Sequence, residues 1–140
     1  MKFKNTYYAA ALLLLIPSCQ SKTVNTFQNK NPNAQTTHTP HQKVITDNSL
    51  NQKSLVINII QGKSGNLLKV QASLRNHTNK TTKLSYIFDW MDKDGFKINS
   101  PTIRWQQITL SGQEPIEITS LAPSPAAVDY RLKLKESKIK

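Results

Sequence analysis

Three patterns of apolar and polar positions follow one another along the chain. Tyr7 to Ile16 is an unbroken apolar run. Gln20 to about Asn51 has few apolar residues and no sustained period. From Lys53 onward apolar residues recur at every second position, the period of a strand with one buried face. In Lys53 to Gln61, Leu55, Ile57 and Ile59 share one phase, and Val56 and Ile60 the other. Beyond the turn cluster Gly62-Lys63-Ser64-Gly65-Asn66, Leu68, Val70, Ala72 and Leu74 alternate with Lys69, Gln71, Ser73 and Arg75. Asn76 to Thr82 is polar and predicts a turn. Leu84, Tyr86, Phe88 and Trp90 form the next inward set, closed by the hairpin signal Asp92-Lys93-Asp94-Gly95. Phe96 and Ile98 predict a short return strand, which Pro101 ends as an edge or crossing loop.

Ile103 and Trp105 lie in one phase, but Ile108 and Leu110 lie in the other. The odd shift predicts a bulge near Gln106-Gln107. Ser111-Gly112 turns the chain, and Ile116 with Ile118 predicts a short strand. Val128, Tyr130, Leu132 and Leu134 then alternate with Asp129, Arg131, Lys133 and Lys135. About seven short strands and no helical period predict an all-β fold, a small antiparallel β-sandwich. Trp90 and Trp105 are expected as core anchors. The expected organisation is a signal peptide over 1–18, a lipidated Cys and disordered polar tether over 19–51, the sandwich over 52–136, and a basic tail over 137–140.

The apolar run has the length of a signal-peptide core and falls short of the roughly 20 residues that span a bilayer. Lys2 and Lys4 supply the positive region before it, and the run ends at Ile16-Pro17-Ser18-Cys19. An aliphatic residue three before a cysteine, with a small residue directly before it, resembles the lipobox read by lipoprotein signal peptidase. The resemblance implies a diacylglyceryl thioether on Cys19, cleavage before it, and an acylated new N-terminus. Only a thiolate is nucleophilic enough for that thioether, and several acyl chains give a stable membrane anchor. Cys19 is the only cysteine, so no internal disulfide framework exists. Gln20 stands where an Asp would mark inner-membrane retention in Gram-negative lipoproteins. The implied site is the inner leaflet of the outer membrane, facing the periplasm.

The segment after Cys19 buries too little apolar surface to offset its chain entropy, so a disordered tether is expected. About 30 residues of flexible coil reach about 30 Å, and about 100 Å when extended. His38 and His41 lie in it without a third metal ligand at supporting spacing.

Charge changes the picture little. Lys and Arg number 19 against 8 acidic residues, and removal of Lys2 and Lys4 with the signal leaves a net +9. Such a balance favours anionic partners, although exposed lysines also keep sheet edges unpaired and soluble. The lysines are scattered without an interleaved aromatic platform, and the signal directs the chain away from nucleic acid, so none is expected as a partner. Lys133, Lys135, Lys138 and Lys140 concentrate enough charge to touch anionic lipid or wall polymer weakly.

No catalytic constellation is legible. Catalysis needs converging groups, and no nucleophile elbow, Gly-rich phosphate loop, HExxH or CxxC occurs. His77 falls in a turn. Asp92 and Asp94 supply half of a calcium loop without its downstream acidic ligands. Glu114 and Glu117 lie on opposite phases of a strand. The expectation is therefore a non-enzyme with no cofactor and no metal.

Tyr86-Ile87-Phe88-Asp89-Trp90-Met91-Asp92-Lys93-Asp94-Gly95 resembles the aromatic strand and Asp-x-x-Gly turn of the YcfL-like lipoproteins. Ser100-Pro101, Trp105, Leu110, Ala122-Pro123-Ser124-Pro125 and Asp129-Tyr130-Arg131-Leu132 extend the likeness over roughly Leu50 to Lys135. The resemblance implies a periplasmic domain of unknown function with an immunoglobulin-like sandwich and no established catalytic residues. It also implies an association with peptidoglycan synthesis, through neighbouring genes only.

The expected activity is that of a membrane-anchored interaction module. Its partner would be an envelope protein or wall polymer, bound through a sheet edge or through the loops holding Asp92, Asp94 and Gly95, and Pro123 and Pro125. The alternative is a periplasmic small-ligand or metal-binding protein.

Overall fold

A computed structural model describes residues 24–29, 41–44, 50 and 53–137. Its strands are β1 (Asn25–Asn29), β2 (His41–Val44), β3 (Ser54–Ser64), β4 (Leu67–Asn76), β5 (Thr82–Met91), β6 (Gln106–Leu110), β7 (Pro115–Leu121) and β8 (Asp129–Glu136). They form two antiparallel sheets, ordered β2-β1-β8-β5-β6 and β3-β4-β7. This is the all-β sandwich that the alternation predicts. Its core lies between the inward faces. Leu84, Tyr86, Phe88 and Trp90 of β5, with Tyr130, Leu132 and Leu134 of β8, belong to the same buried cluster as Val70, Ala72 and Leu74 of β4 and Ile118 of β7. The aromatic rings pack at offset and tilted angles, with Phe88 and Trp90 stacked at 6.0 Å and Tyr130 at 6.4 Å from each. Such geometry stabilises aromatic pairs beyond the area they bury.

The mixed phases in the first long strand have a local cause. The register of β3 against β4 shifts between Val56 and Asn58, so Ile57 is the extra residue of a bulge. Val56 and Ile59 therefore both point inward, and Ile57 is left exposed. A bulge is one extra residue that swaps the face of everything after it.

The bulge expected at Gln106-Gln107 is not there. The β5–β6 register runs without a shift from Thr82↔Leu110 to Tyr86↔Gln106. Ile103 and Trp105 precede the strand, so their phase carried no information about it. The return strand expected at Phe96 and Ile98 is reduced to one bridge between Met91 and Lys97. Among the described residues Phe96 is the most exposed of the large apolar residues, at 72%. Trp90 is buried as expected, but Trp105 is not a core anchor. It is 38% exposed, and the Lys135 ammonium lies 3.9 Å from its ring centroid.

The largest departure concerns the tether. Asn25–Asn29 pairs with β8, from Asn25↔Leu134 to Gln28↔Arg131, and with His41–Val44 on its other side. Phe27 is only 2% exposed and lies in the core. Few apolar residues suffice here, because β8 offers an open edge whose backbone groups need partners. The five-stranded sheet therefore includes Asn25–Asn29 and His41–Val44, which precede residue 52. The signal peptide, Cys19, His38 and the lysines of the basic tail lie outside the described residues.

Candidate functional site

The strands divide the surface into two ends and an outer face on each sheet. At one end three turns gather. Gly65, at a φ of +61°, turns β3 into β4. Asp92 to Gly95 closes β5. Residues 122–128 link β7 to β8 and tie the two sheets together, since the Ala122 N–H donates to Leu68 O at 2.8 Å and the Val128 N–H to Met91 O at 2.9 Å. The two loops singled out in the sequence are thus neighbours at this end.

Their side chains are largely committed to the loops themselves. The Asp92 carboxylate accepts the N–H groups of Asp94 at 3.0 Å and Phe96 at 2.9 Å. The Gly95 N–H closes the turn onto Asp92 O, and its φ of +82° is the left-handed conformation that glycine tolerates. Asp94 is held by Lys93 at 2.8 Å, an exposed pair of small energetic consequence. Pro123 is half-buried and Pro125 exposed, beside the buried Ala122 and Ala127. These residues make a stiff, exposed platform. A cavity of about 300 Å³ lies nearby, lined by Lys97, Ile98, Asn99, Ser100, Pro101 and Ile103.

The outer face of the five-stranded sheet carries the charge. Asp89 is buried although it points away from the core. Lys97 Nζ lies 2.6 Å from one of its carboxylate oxygens and Lys133 Nζ 2.7 Å from the other. Burial by itself pushes the Asp89 carboxyl up, but the two lysines outweigh it and hold it below the usual carboxylate range. Register places Arg131 opposite Asp89, and Lys133 opposite Ile87.

At the opposite end β1 enters the sheet, beside the end of β8 and the start of β5. Asn76 organises the turn there. Its buried amide donates to Lys80 O at 2.7 Å and Leu110 O at 3.2 Å, and its oxygen accepts the Thr78 N–H and hydroxyl. Gly112 packs against this turn so closely that a Cβ would come 2.7 Å from the Asn79 carbonyl carbon. His77 is exposed, and its carbonyl accepts from Gln113. Glu117 accepts from Ser73 at 2.6 Å and Gln71 at 3.1 Å on the other sheet, away from Glu114.

Among the described residues no group of three or more His, Cys, Asp or Glu side chains converges as a metal site would. Sequence reasoning missed Asp89, Asn76 and Tyr130. The Tyr130 hydroxyl is buried without a hydrogen-bond partner, and burial, with the nearby Asp129 charge, raises its pKa well above the usual tyrosine range. One signal for Asp89 was present, since a carboxylate between Ile87 and Met91 on the outward phase of β5 needs a partner.

The architecture defines a two-sheet antiparallel sandwich with loop clusters at its ends. Residues 41–136 match DUF1425, a family of proteins of unknown function, and the chain belongs to that family. Two solved structures share the fold. One is a DUF1425 family member from Shewanella sp. pv-4, at 21% identity and a TM-score of 0.58, covering 69% of this chain and 89% of that one. The other is Campylobacter jejuni Cj0090, at 25% identity and a TM-score of 0.57, covering 65% and 94%. No curated protein matches. The family match starts at His41, eleven residues before the boundary expected from periodicity.

Proposed function

We propose that this chain is a YcfL-like envelope lipoprotein, anchored through Cys19 in the inner leaflet of the outer membrane, with the sandwich as a non-enzymatic interaction module. The observation that carries the anchor is the apolar run ending at Ile16-Pro17-Ser18-Cys19. The module reading is supported by the paired loops at Asp92 to Gly95 and Ala122 to Pro125, which present a stiff polar surface at the end away from β1. An envelope protein or wall polymer is the expected partner, in a process linked to peptidoglycan synthesis.

Metabolic labelling with a radioactive fatty acid tests the anchor. The wild-type chain should take up label, and Cys19→Ser should take up none. A wild-type chain without label, or equal label in the variant, would overturn the reading.

A further inference from the structure

Among the described strands, β2 and β6 are the edges of one sheet, and β3 and β7 the edges of the other. An open edge carries backbone N–H and C=O groups that can pair with a further strand, and proteins blunt such edges with charge, proline or bulges. Three of these edges are blunted. β2 contains Lys43. β3 has its bulge at Ile57 and carries Lys63. β7 starts at Pro115 and carries Glu117. β6 is Gln-Gln-Ile-Thr-Leu, with no charge, no proline and no shift of register against β5.

The direction of its free backbone groups follows from β5. The Ser137 N–H donates to Lys83 O, and the Ile98 N–H to Trp90 O. Odd-numbered residues of β5 therefore bond toward β8, and even-numbered ones toward β6. Thr82, Leu84 and Tyr86 exchange bonds with Leu110, Ile108 and Gln106. Alternation then leaves the N–H and C=O groups of Gln107 and Thr109 pointing away from the sheet. Both side chains are exposed as well. Arg104 and Glu114 flank the strand, exposed, and neither forms an ion pair among the described residues.

We propose that β6 pairs antiparallel with β6 of a second copy of this chain, about a two-fold axis at Ile108, and joins the two five-stranded sheets into one. In that register Gln107 of each copy lies opposite Thr109 of the other, and each such pair exchanges two backbone hydrogen bonds. Ile108 lies opposite itself, and Gln106 opposite Leu110, so no like charges meet along the strand. The reversed direction brings Arg104 of one copy to the end at which Glu114 of the other lies. Opposite charges therefore close both ends, as a self-complementary two-fold contact requires. At β3 the same reversal would bring Lys53 of one copy toward Lys63 of the other, which repels. The β6 pairing needs no lipid anchor.

The test uses residues 19–140 with Cys19→Ser, which keep every described strand and hold no cysteine. Analytical ultracentrifugation should show the mass rising toward that of two chains as concentration rises to about 0.1 mM. Thr109→Pro removes an edge N–H and leaves the bonds of β6 to β5 in place. Thr109→Glu gains Lys83 beside it within one chain, but sets like charges on the diagonal across the axis. Each should weaken dimerisation at least about tenfold. Thr119→Glu, the same change on β7, should leave it within about twofold. Circular dichroism should show all three variants folded. Oxidising a mixture of Gln107→Cys and Thr109→Cys chains should give more disulfide-linked dimer than either variant by itself, since opposed residues of this pair have Cα atoms about 5.5 Å apart. A single-chain mass at every concentration, a dimer that Thr109→Pro leaves intact, or equal cross-linking with and without mixing would each overturn the β6 pairing.

Discussion

Asp89 on the outer face and Tyr130 in the core show how this sandwich tolerates two buried polar side chains. Asp89 keeps its charge because Lys133 and Lys97 reach it. Its folded-state pKa is lowered, so its contribution to stability is present above the unfolded value of about 4 and is lost as pH falls through the folded value. Asp89→Asn should therefore cost about 1–2 kcal/mol at neutral pH, with the two half-exposed lysines limiting the loss. Denaturant midpoints of variant and wild type should begin to converge as pH falls below about 4 and meet once it has passed the lowered folded value. A difference that does not change with pH would show that the lysines do not sustain the charge. Tyr130 has no partner for its hydroxyl. Tyr130→Phe removes a desolvated group and keeps the ring packing, so stability should hold or rise by up to about 1 kcal/mol. A loss of more than that amount would reveal a hydrogen bond to the hydroxyl.

At the scale of elements, the strands with long alternation were legible in the sequence. In β4 and β8 the apolar positions of the pattern fall on the core or close to it, because a strand with one buried face must alternate; the exception is Val128, which precedes β8 and is exposed. Elements that depend on a neighbour were not legible. β1 has one core side chain, Phe27, and is held by its pairing with β8. Nothing local distinguishes Asn25–Asn29 from a polar linker. Phe27→Ala should lower stability by about 3 kcal/mol in urea unfolding, since a buried ring is lost from a packed interior. An unchanged midpoint would return β1 to the tether. Trp105 is the converse case. Its pattern reads as core, yet it lies on the outer face under Lys135, because its segment joins the sheet only at Gln106.

For the whole molecule, topology gives the sandwich two unlike ends. The order β2-β1-β8-β5-β6 puts the first strand beside the last, and antiparallel pairing brings Asn25 to Leu134. Asn25 therefore lies near the end of β8. The same pairing sends the Asp92 and Pro123 loops to the far end. The candidate site was legible as two separate loops. Their adjacency was not, since residues 92 and 123 are distant in the chain and are brought together by the Met91↔Asp129 pairing and the Val128 to Met91 hydrogen bond.

The sequence by itself determined the all-β class, most of the strands, the sandwich core around Trp90, and the apolar run before Cys19. Each is a local property, carried by an alternating period or a contiguous motif. Only the tertiary structure decided that β1 belongs to the sheet, that Ile57 is bulged out, and that Trp105 is outside the core. Those outcomes depend on which edge is open to pair and on which face a register leaves exposed. Edge pairing and long-range register join residues far apart in the chain, so no window of sequence contains them.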